Sequence, residues 1–205
     1  MGTGRTRWWT ADLHFGHANI IRYCDRPFTS VEAMDEGLIE RWNDSVTPDD
    51  EVWLLGDFAM GGLAEHLPLA QRLAGHKVLV AGNHDACWEG RPKGGFERWV
   101  AEYLEAGFER IVQPPTMADL GETTVLVHHF PYEGDSRGDV ERFAEHRPTD
   151  EGAWLLHGHV HDRWRQSGRQ INVGVDAWGG RLVSDEELAD LIAAGPTDRP
   201  TLPWH

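Results

Sequence analysis

Short apolar runs that end abruptly in polar residues recur along the chain and alternate with segments of helical periodicity. Such runs are rich in β-branched, aliphatic and aromatic residues, so they predict buried strands. The predicted strands span residues 7–11, 51–55, 77–81, 109–113, 116–120, 123–127, 153–156, 170–176 and 181–183. The polar residues at their ends lie where an α/β protein places its chemistry.

Other segments carry apolar residues at the spacing of one helix face. The predicted helices span residues 31–43, 63–74, 96–106 and 185–194. Ser30 and Ser184 are natural N-caps for the first and last of them. Pro68 falls inside the second, so we expect a kink or a late start there.

The remaining chain is irregular. Residues 133–150 are charged and contain Gly and Pro, and we expect them to form a lid or rim over a site. The segment from Gly195 is rich in proline, and we expect it to be frayed. The sequence therefore predicts one domain over residues 1–195 and a tail over 196–205.

Composition narrows the classes of function. The 205 residues carry a net charge of −15, which argues against broad electrostatic binding to nucleic acid or to an anionic membrane. A phosphate substrate is still allowed, because two divalent ions would add positive charge locally. Cys24 and Cys87 form no CxxC pair, which disfavours a disulfide framework or a structural zinc site. No signal peptide and no 18-residue apolar run stand out, so we expect a cytoplasmic protein without a membrane span.

The tetrapeptide Gly82-Asn83-His84-Asp85 follows the predicted strand at 77–81. The amide oxygen of Asn83 is a neutral metal ligand, and His84 can donate a proton near neutral pH. Taken alone, this stretch is equally compatible with a capped turn.

Four other predicted strands also end in residues that bind metals. Asp12 and His14 stand at i and i+2, so both point to one face of an extended segment. The other candidates are Asp57, then His129 with its neighbour His128, and then His159 and His161. Asp12 and His14 are also compatible with a polar strand end, and Asp57 with an ordinary turn.

The mixture of donors indicates the metal. Carboxylate oxygens with imidazoles and no thiolates suit Mn, Fe, Co, Ni or Zn in a catalytic setting. Seven donors are too many for one ion but natural for two ions that share a bridging carboxylate. The sequence therefore predicts two divalent metal ions, with Mn preferred.

The chain resembles the calcineurin-like metallophosphoesterase superfamily, because the motifs of that superfamily occur along residues 7–183 in the same order. They are Asp12-Leu13-His14, Gly56-Asp57, Gly82-Asn83-His84-Asp85, His129 before Phe130-Pro131, and Gly158-His159-Val160-His161. The resemblance implies an αββα sandwich of four layers, in which two mixed β-sheets are flanked by helices. It is strongest to the small stand-alone bacterial and phage members.

The resemblance also implies residue roles. Asp57 would bridge the two ions, and His84 would be the general acid that protonates the leaving oxygen. One ion would be held by Asp12, His14 and His161, and the other by Asn83, His129 and His159. His129 fits the family spacing better than His128, and His157 is expected to pack or support the site. Besides Asn83, three residues near the first loop are expected to contact the substrate: His17, Arg22 and Arg26.

One motif departs from the protein Ser/Thr phosphatases of this superfamily. The segment Gly56–Gly62 lacks their second Asp and their Arg. This disfavours a protein phosphatase and leaves the partner that would orient His84 unidentified.

The expected function is hydrolysis of small or nucleotide-type phosphodiesters, for example cyclic nucleotides, by water activated at the metals. A phosphomonoesterase acting on a small metabolite and a nucleic-acid-processing phosphoesterase are the alternatives. A scaffold without activity is disfavoured, because every ligand position is filled.

Overall fold

Two mixed β-sheets of five strands each form the frame of the computed structural model, which describes residues 5–91, 94–137 and 142–204. The strands are β1 Arg7–Thr10, β2 Glu51–Leu54, β3 His76–Val80, β4 Arg110–Val112, β5 Thr116–Leu120, β6 Thr123–Val127, β7 Leu155–His157, β8 Gln166–Ser167, β9 Gln170–Asn172 and β10 Val183–Ser184. The first sheet has the order β10-β1-β2-β3-β4, and the second has the order β5-β6-β7-β9-β8.

Five α-helices accompany the sheets within the described residues. They are α1 Ala18–Tyr23, α2 Val31–Ser45, α3 Leu63–His66, α4 Phe96–Glu105 and α5 Asp185–Ala193, and 3₁₀ turns cover Leu67–Arg72, Ala144–His146 and Val175–Ala177. None of the helices in these ranges is both long enough and apolar enough to cross a bilayer.

The apolar side chains of the strands form two separate cores, because successive side chains of a strand point to opposite faces of the sheet. In β2, Trp53 packs into the core between the sheets, where its ring lies 5.2 Å from that of Trp9. Val52 and Leu54 point the other way and pack with helical residues such as Leu38 of α2. The predicted fold, two mixed β-sheets flanked by helices, is confirmed.

The predicted caps are also confirmed. The side chain of Ser30 accepts a hydrogen bond from the amide of Ala33, 3.2 Å away. Ser184 and Glu187 form a reciprocal capping box at the start of α5. Leu188 of this helix is buried in the core between the sheets, so the cap fixes where α5 enters that core.

Several predicted segments differ in the structure: the strand predicted over 153–156, for example, covers Leu155–His157, and three others have a clear physical reason. The helix predicted over 63–74 changes from α to 3₁₀ geometry next to Pro68. The strand predicted over 170–176 ends at Asn172, because the Asn172 side chain accepts from the amide of Gly174 and turns the chain. The strand predicted over 181–183 covers Val183 and Ser184 only.

The prediction of a frayed tail is wrong for the described residues. The amide of Leu202 donates to the carbonyl of Ala177 over 3.0 Å. The Trp204 ring packs edge to face against Phe28 at 5.8 Å between ring centroids. The division into residues 1–195 and a tail stays a prediction.

The strand ends of both sheets meet at one edge of the sandwich. β1, β2 and β3 are parallel, as are β6 and β7. The loops that follow them are joined by backbone hydrogen bonds, such as that from Asp12 to Gly56 at 3.0 Å and that from Gly158 to His129 at 3.0 Å. This edge is where the sequence places its polar residues.

Candidate metal centre

The seven predicted metal ligands lie just beyond the carboxyl ends of five strands. In chain order they are Asp12 and His14 after β1, Asp57 after β2, Asn83 after β3, His129 after β6, and His159 and His161 after β7. The parallel strands bring their ends to one edge. The structure therefore gathers all seven side chains in one place.

Most of these residues have a backbone conformation that is uncommon outside glycine. Five of the seven have φ between 51° and 71°: Asp12, His14, Asp57, His159 and His161. Each such residue costs on the order of 1–3 kcal/mol and persists only where the surroundings enforce it. The structure around the strand ends holds these residues in this conformation, which turns their donor atoms towards the site.

Glycines make room for this close approach. A Cβ on Gly82 would lie 2.6 Å from Oδ1 of Asp57 and 2.8 Å from Nδ1 of His129. A Cβ on Gly158 would lie 2.7 Å from Oδ2 of Asp12. A side chain at either position would push a donor out of place, so these two glycines of the motifs are required sterically.

Asp12, His14 and His161 form the first group of donors. Nε2 of His14 lies 3.2 Å from Nε2 of His161. Oδ1 of Asp12 lies 3.9 Å from the former and 3.8 Å from the latter. Two ligands that each lie about 2.1 Å from one ion are separated by roughly 3–4 Å, so these spacings suit a shared cation.

Asn83, His129 and His159 form the second group. Oδ1 of Asn83 lies 2.9 Å from Nε2 of His129 and 3.1 Å from Nδ1 of His159. Oδ2 of Asp57 lies 3.6 Å from Nε2 of His129 and 3.7 Å from Nε2 of His14. Asp57 therefore stands between the two groups, as a bridging carboxylate would.

The protonation of His129 tests whether a cation fits. Its Nδ1 lies 2.8 Å from the carbonyl oxygen of Leu55, which only accepts, so Nδ1 carries the hydrogen. Burial lowers the pKa of His129 to about 4, so the ring is neutral at pH 7. Its Nε2 then points a lone pair at the oxygens of Asn83 and Asp57. Acceptors that face one another in this way call for a cation between them.

The first group passes a similar test. Oδ1 of Asp12 is buried and has no hydrogen-bond partner within the described part of the chain, although its other oxygen accepts from the amide of His159 at 2.9 Å. An unsatisfied buried carboxylate oxygen is costly, and a metal ion would satisfy it. Both groups therefore fit divalent ions.

Other contacts fix the direction of the imidazoles. Nε2 of His159 is 3.2 Å from Oδ2 of the buried Asp135, which leaves Nδ1 to face the site. Nδ1 of His161 is 3.7 Å from the thiol of Cys24. Cys24, His161 and Asp176 also lie close enough to share an ion. Burial raises the pKa of the Cys24 thiol, so without a metal this side chain is neutral, and its contact with Nδ1 orients the His161 ring.

Asp85 holds two of the loops together. Its carboxylate accepts from the amides of Asp57 at 2.9 Å, Phe58 at 3.1 Å and Gly82 at 2.8 Å. Burial, followed by the charge of Asp57, raises the pKa of Asp85 to about 7. The fourth residue of the tetrapeptide is therefore a support for the bridging position.

The carboxylates and imidazoles of the site shift one another's pKa values. Burial, and then the negative charges of Asp57 and Asp176, raise the pKa of Asp12 well above its usual range. Burial would also raise the pKa of Asp57, but the imidazoles of His129, His84 and His14 hold it below that range. Burial lowers the pKa of His14 strongly and that of His161 to about 4. Neutral imidazoles are the form that binds metals.

Comparison with known proteins assigns this arrangement to a family. Residues 6–193 match the model of the calcineurin-like phosphoesterases. The chain belongs to the calcineurin-like phosphoesterase family. Members hydrolyse phosphoesters with divalent metals, and the Asp and His groups described above are this chain's candidates for holding them.

The phosphoesterase is similar to proteins of phages and archaea. It is 38% identical over 196 residues to the Gene 66 protein of Mycobacterium phage D29, covering 90% of this chain and 94% of that protein. It is 30% identical over 198 residues to an uncharacterized protein of Methanocaldococcus jannaschii, covering 92% of each. A solved structure of a protein of unknown function from Aquifex aeolicus matches with a TM-score of 0.67 and 25% identity, over 92% of this chain and all of that chain.

A cavity of about 400 Å³ opens beside the donors of the phosphoesterase. His84 lines it, with Nε2 4.0 Å from Oδ2 of Asp57, and so does the half-buried His17. Ser136, Arg137 and Arg142 also line it, as expected for a rim formed by residues 133–150. Residues 138–141 of that stretch lie outside the described residues.

The prediction that Arg26 contacts the substrate is wrong. Its guanidinium is buried and binds both oxygens of Asp176 at 2.8 Å. The same group donates to the carbonyl oxygens of Asp12 at 2.7 Å and Leu13 at 2.8 Å. Arg26 therefore holds the loop that carries the first donors and cannot reach a ligand in the cavity.

The prediction that Arg22 contacts the substrate is not supported by its position either. It is exposed on α1, where its guanidinium donates to Oδ1 of Asn19 at 2.8 Å, and it does not line the cavity. Of the three predicted substrate contacts around the first loop, the structure brings only His17 to the cavity.

The neighbouring histidines can be told apart. His128 is buried beside the site, where its Nδ1 accepts from the amide of Phe130 at 2.9 Å. It does not face the donors, whereas His129 does. His157 is buried in β7 with Nδ1 2.7 Å from the carbonyl of Gly158, which agrees with a packing role.

Sequence reasoning missed four residues that support the donors. Asp85 lies inside a recognised motif, so its position was available as a signal. Asp176 lies in a predicted strand, Cys24 forms no CxxC pair, and Asp135 lies in an irregular stretch. Nothing in the local sequence pattern links these three to the metal ligands, because their contacts span more than 20 residues of chain.

We predict that Arg26 positions the first metal site. Arg26→Met leaves Asp176 buried and unpaired, which should lower the free energy of unfolding by about 3 kcal/mol or more. Arg26→Met with Asp176→Asn should regain part of that stability. It should still bind Mn²⁺ about tenfold more weakly, because the carbonyls of Asp12 and Leu13 lose their donors.

Chemical denaturation and calorimetric Mn²⁺ titration measure these two effects. Arg22→Met, on the exposed side of α1, is the matched control and should keep wild-type stability and affinity. Equal Mn²⁺ affinity in the wild type and the double variant would contradict the positioning role.

We predict a pH-dependent contribution from His128. Burial lowers the pKa of His128 to about 3, against about 6.5 in the unfolded chain. Between these values the unfolded state binds a proton that the folded state does not, so stability is lost as pH falls. His128→Asn keeps an acceptor for Phe130 and should flatten the pH dependence by up to about 1.4 kcal/mol per pH unit. Denaturation of metal-free protein from pH 6 to about pH 4 measures this, and parallel curves would refute it.

Proposed function

We propose that this phosphoesterase is a binuclear metal-dependent phosphodiesterase that acts on small or nucleotide-type phosphodiesters. Mn²⁺ is the proposed ion, with Fe, Co, Ni and Zn as alternatives, because the donors are carboxylate and amide oxygens and imidazoles. The proposed ligands are the seven residues of the two donor groups with Asp57 between them.

The charges of the side chains that line the cavity are the observation that favours a diester over a monoester as the substrate. Arg142 and Arg137 line it, but Arg142 donates through Nε and Nη2 to the carboxylate of Asp135 at 3.0 and 2.6 Å. The carboxylate of Asp162 also lines the cavity. Little uncompensated positive charge therefore remains outside the metal centre, which suits a phosphodiester with one negative charge better than a dianionic monoester.

The side chains of the protein have distinct tasks in this proposal. Two divalent ions would supply an activated water and positive charge for the phosphoryl oxygens. His84, exposed to the cavity beside Asp57, would give a proton to the leaving oxygen as the phosphorus–oxygen bond breaks. His17 and Asn83 would contact the phosphate. The alternatives are a monoesterase and a nucleic-acid-processing enzyme, and the net charge of −15 disfavours the latter.

A substrate panel tests the proposed function. Mn²⁺-loaded protein should hydrolyse bis-(p-nitrophenyl) phosphate faster than p-nitrophenyl phosphate. Removal of the metals with a chelator should abolish turnover, and Mn²⁺ should restore it. Asp57→Ala should lose both the metals and the activity, and it also controls for contaminating enzymes. Faster hydrolysis of the monoester would favour the second candidate and contradict the first.

We predict that His84 acts on the leaving group. An alkoxide needs a proton to depart, whereas p-nitrophenolate is stable as an anion. His84→Asn should therefore slow hydrolysis of an alkyl diester by about 10²–10⁴-fold and affect a p-nitrophenyl ester little. Single-turnover rates and metal content measure this. Equal losses on both substrates with intact metals would mean that His84 only holds the phosphate.

A further inference from the structure

The outer part of the cavity carries an exposed aromatic ring. Among the described residues, three large apolar side chains are exposed: Tyr23, Leu104 and Met117. Tyr23, which is 56% exposed at the end of α1, is the one of these that lines the cavity. An exposed aromatic side chain at a ligand cavity is a candidate for ligand contact.

A row of rings leads from the donors to Tyr23. The ring of His14 lies 5.7 Å from that of His17, and His17 lies 6.3 Å from Tyr23 at an angle of 69°. His14 belongs to the first donor group, so the row begins at the position proposed for the phosphate. A molecule with its phosphate at the donors would extend along His17 towards Tyr23.

The surroundings of Tyr23 suit a planar group. The guanidinium carbon of Arg137 lies over the Tyr23 ring, 5.9 Å from its centroid. Met60, which is half-buried, adds apolar surface to the cavity. A planar base would stack on the outer face of the guanidinium or on the ring face that the guanidinium does not cover, and both kinds of group stack favourably on nucleobases.

We infer that Tyr23, with Arg137 above it, is the stacking platform for the base of a nucleoside phosphate whose phosphate lies at the metal centre. This rests on the proposed function, since it assumes that phosphate binds at the donors. The cavity of about 400 Å³ is of the size that small ligands occupy. With the net charge of −15, this favours a mononucleotide over a polymer.

Matched ligands isolate the base. Two phosphinates, in which carbon replaces both ester oxygens of a methyl phosphodiester, keep its single negative charge and cannot be hydrolysed: the analogue of methyl adenosine 5′-phosphate and the analogue of methyl ribose 5-phosphate. They share the phosphinate and the sugar and differ in the base. Calorimetry on Mn²⁺-loaded protein gives both affinities without any turnover, so failure of the hydrolase assay and failure of this inference are separate results.

The wild type should bind the adenosine analogue about fivefold or more tightly than the ribose analogue. Tyr23→Phe keeps the ring and should keep this ratio, whereas Tyr23→Leu should bring it near one and leave ribose binding unchanged. Met117→Leu, an exposed position outside the cavity, should behave as wild type. Arg137→Gln should weaken adenosine binding more than ribose binding.

Three results would overturn the inference. One is a ratio near one in the wild type. Another is equal weakening of both ligands by Tyr23→Leu, which would indicate a structural role for Tyr23. Equal weakening of both ligands by Arg137→Gln would contradict only the contact proposed between Arg137 and the base. The third is tighter binding of a single-stranded hexanucleotide than of the adenosine analogue, with affinity that falls steeply with salt, which would indicate a polymer.

Discussion

Two buried carboxylates, Asp12 and Asp57, lie within 4 Å of the same imidazole nitrogen of His14, and much of the structure follows from holding them there. Like charges in a poorly solvated place repel, and burial penalises each of them. Neutral imidazoles, backbone amides and the Arg26–Asp176 pair surround them without neutralising both. The site is therefore built around a deficit of positive charge that divalent ions would fill.

Much of the fold and most of the donor set could be predicted from the sequence. The strands are short, strongly apolar and end abruptly, as in the run that becomes β3, so their positions are encoded locally. Parallel strands must place their ends at one edge, so Asp12, Asp57 and Asn83 converge for topological reasons. The donors are also placed by the family's motif order, which local pattern alone does not supply.

The errors have a common physical origin. A cation near the first loop predicts a phosphate contact for Arg26, yet its guanidinium binds the buried Asp176, which is distant in sequence. The prolines of the tail predict fraying, yet Trp204 packs against Phe28. Asp135 stands in an irregular stretch and acts through His159. Contacts between residues far apart in sequence decide such roles, and local pattern does not record them.

The contact between Asp135 and His159 joins the cavity rim to the metal centre. The same carboxylate accepts from the amide of Arg137 at 3.2 Å and from the side chain of Arg142, which both line the cavity. Equilibrium coupling of this kind is reciprocal. If the rim can leave this position, any free energy that its contact with Asp135 adds to ion binding through His159 equals the free energy that ion binding adds to holding the rim in place. The affinity for an ion and the shape of the entrance would then be linked through Asp135.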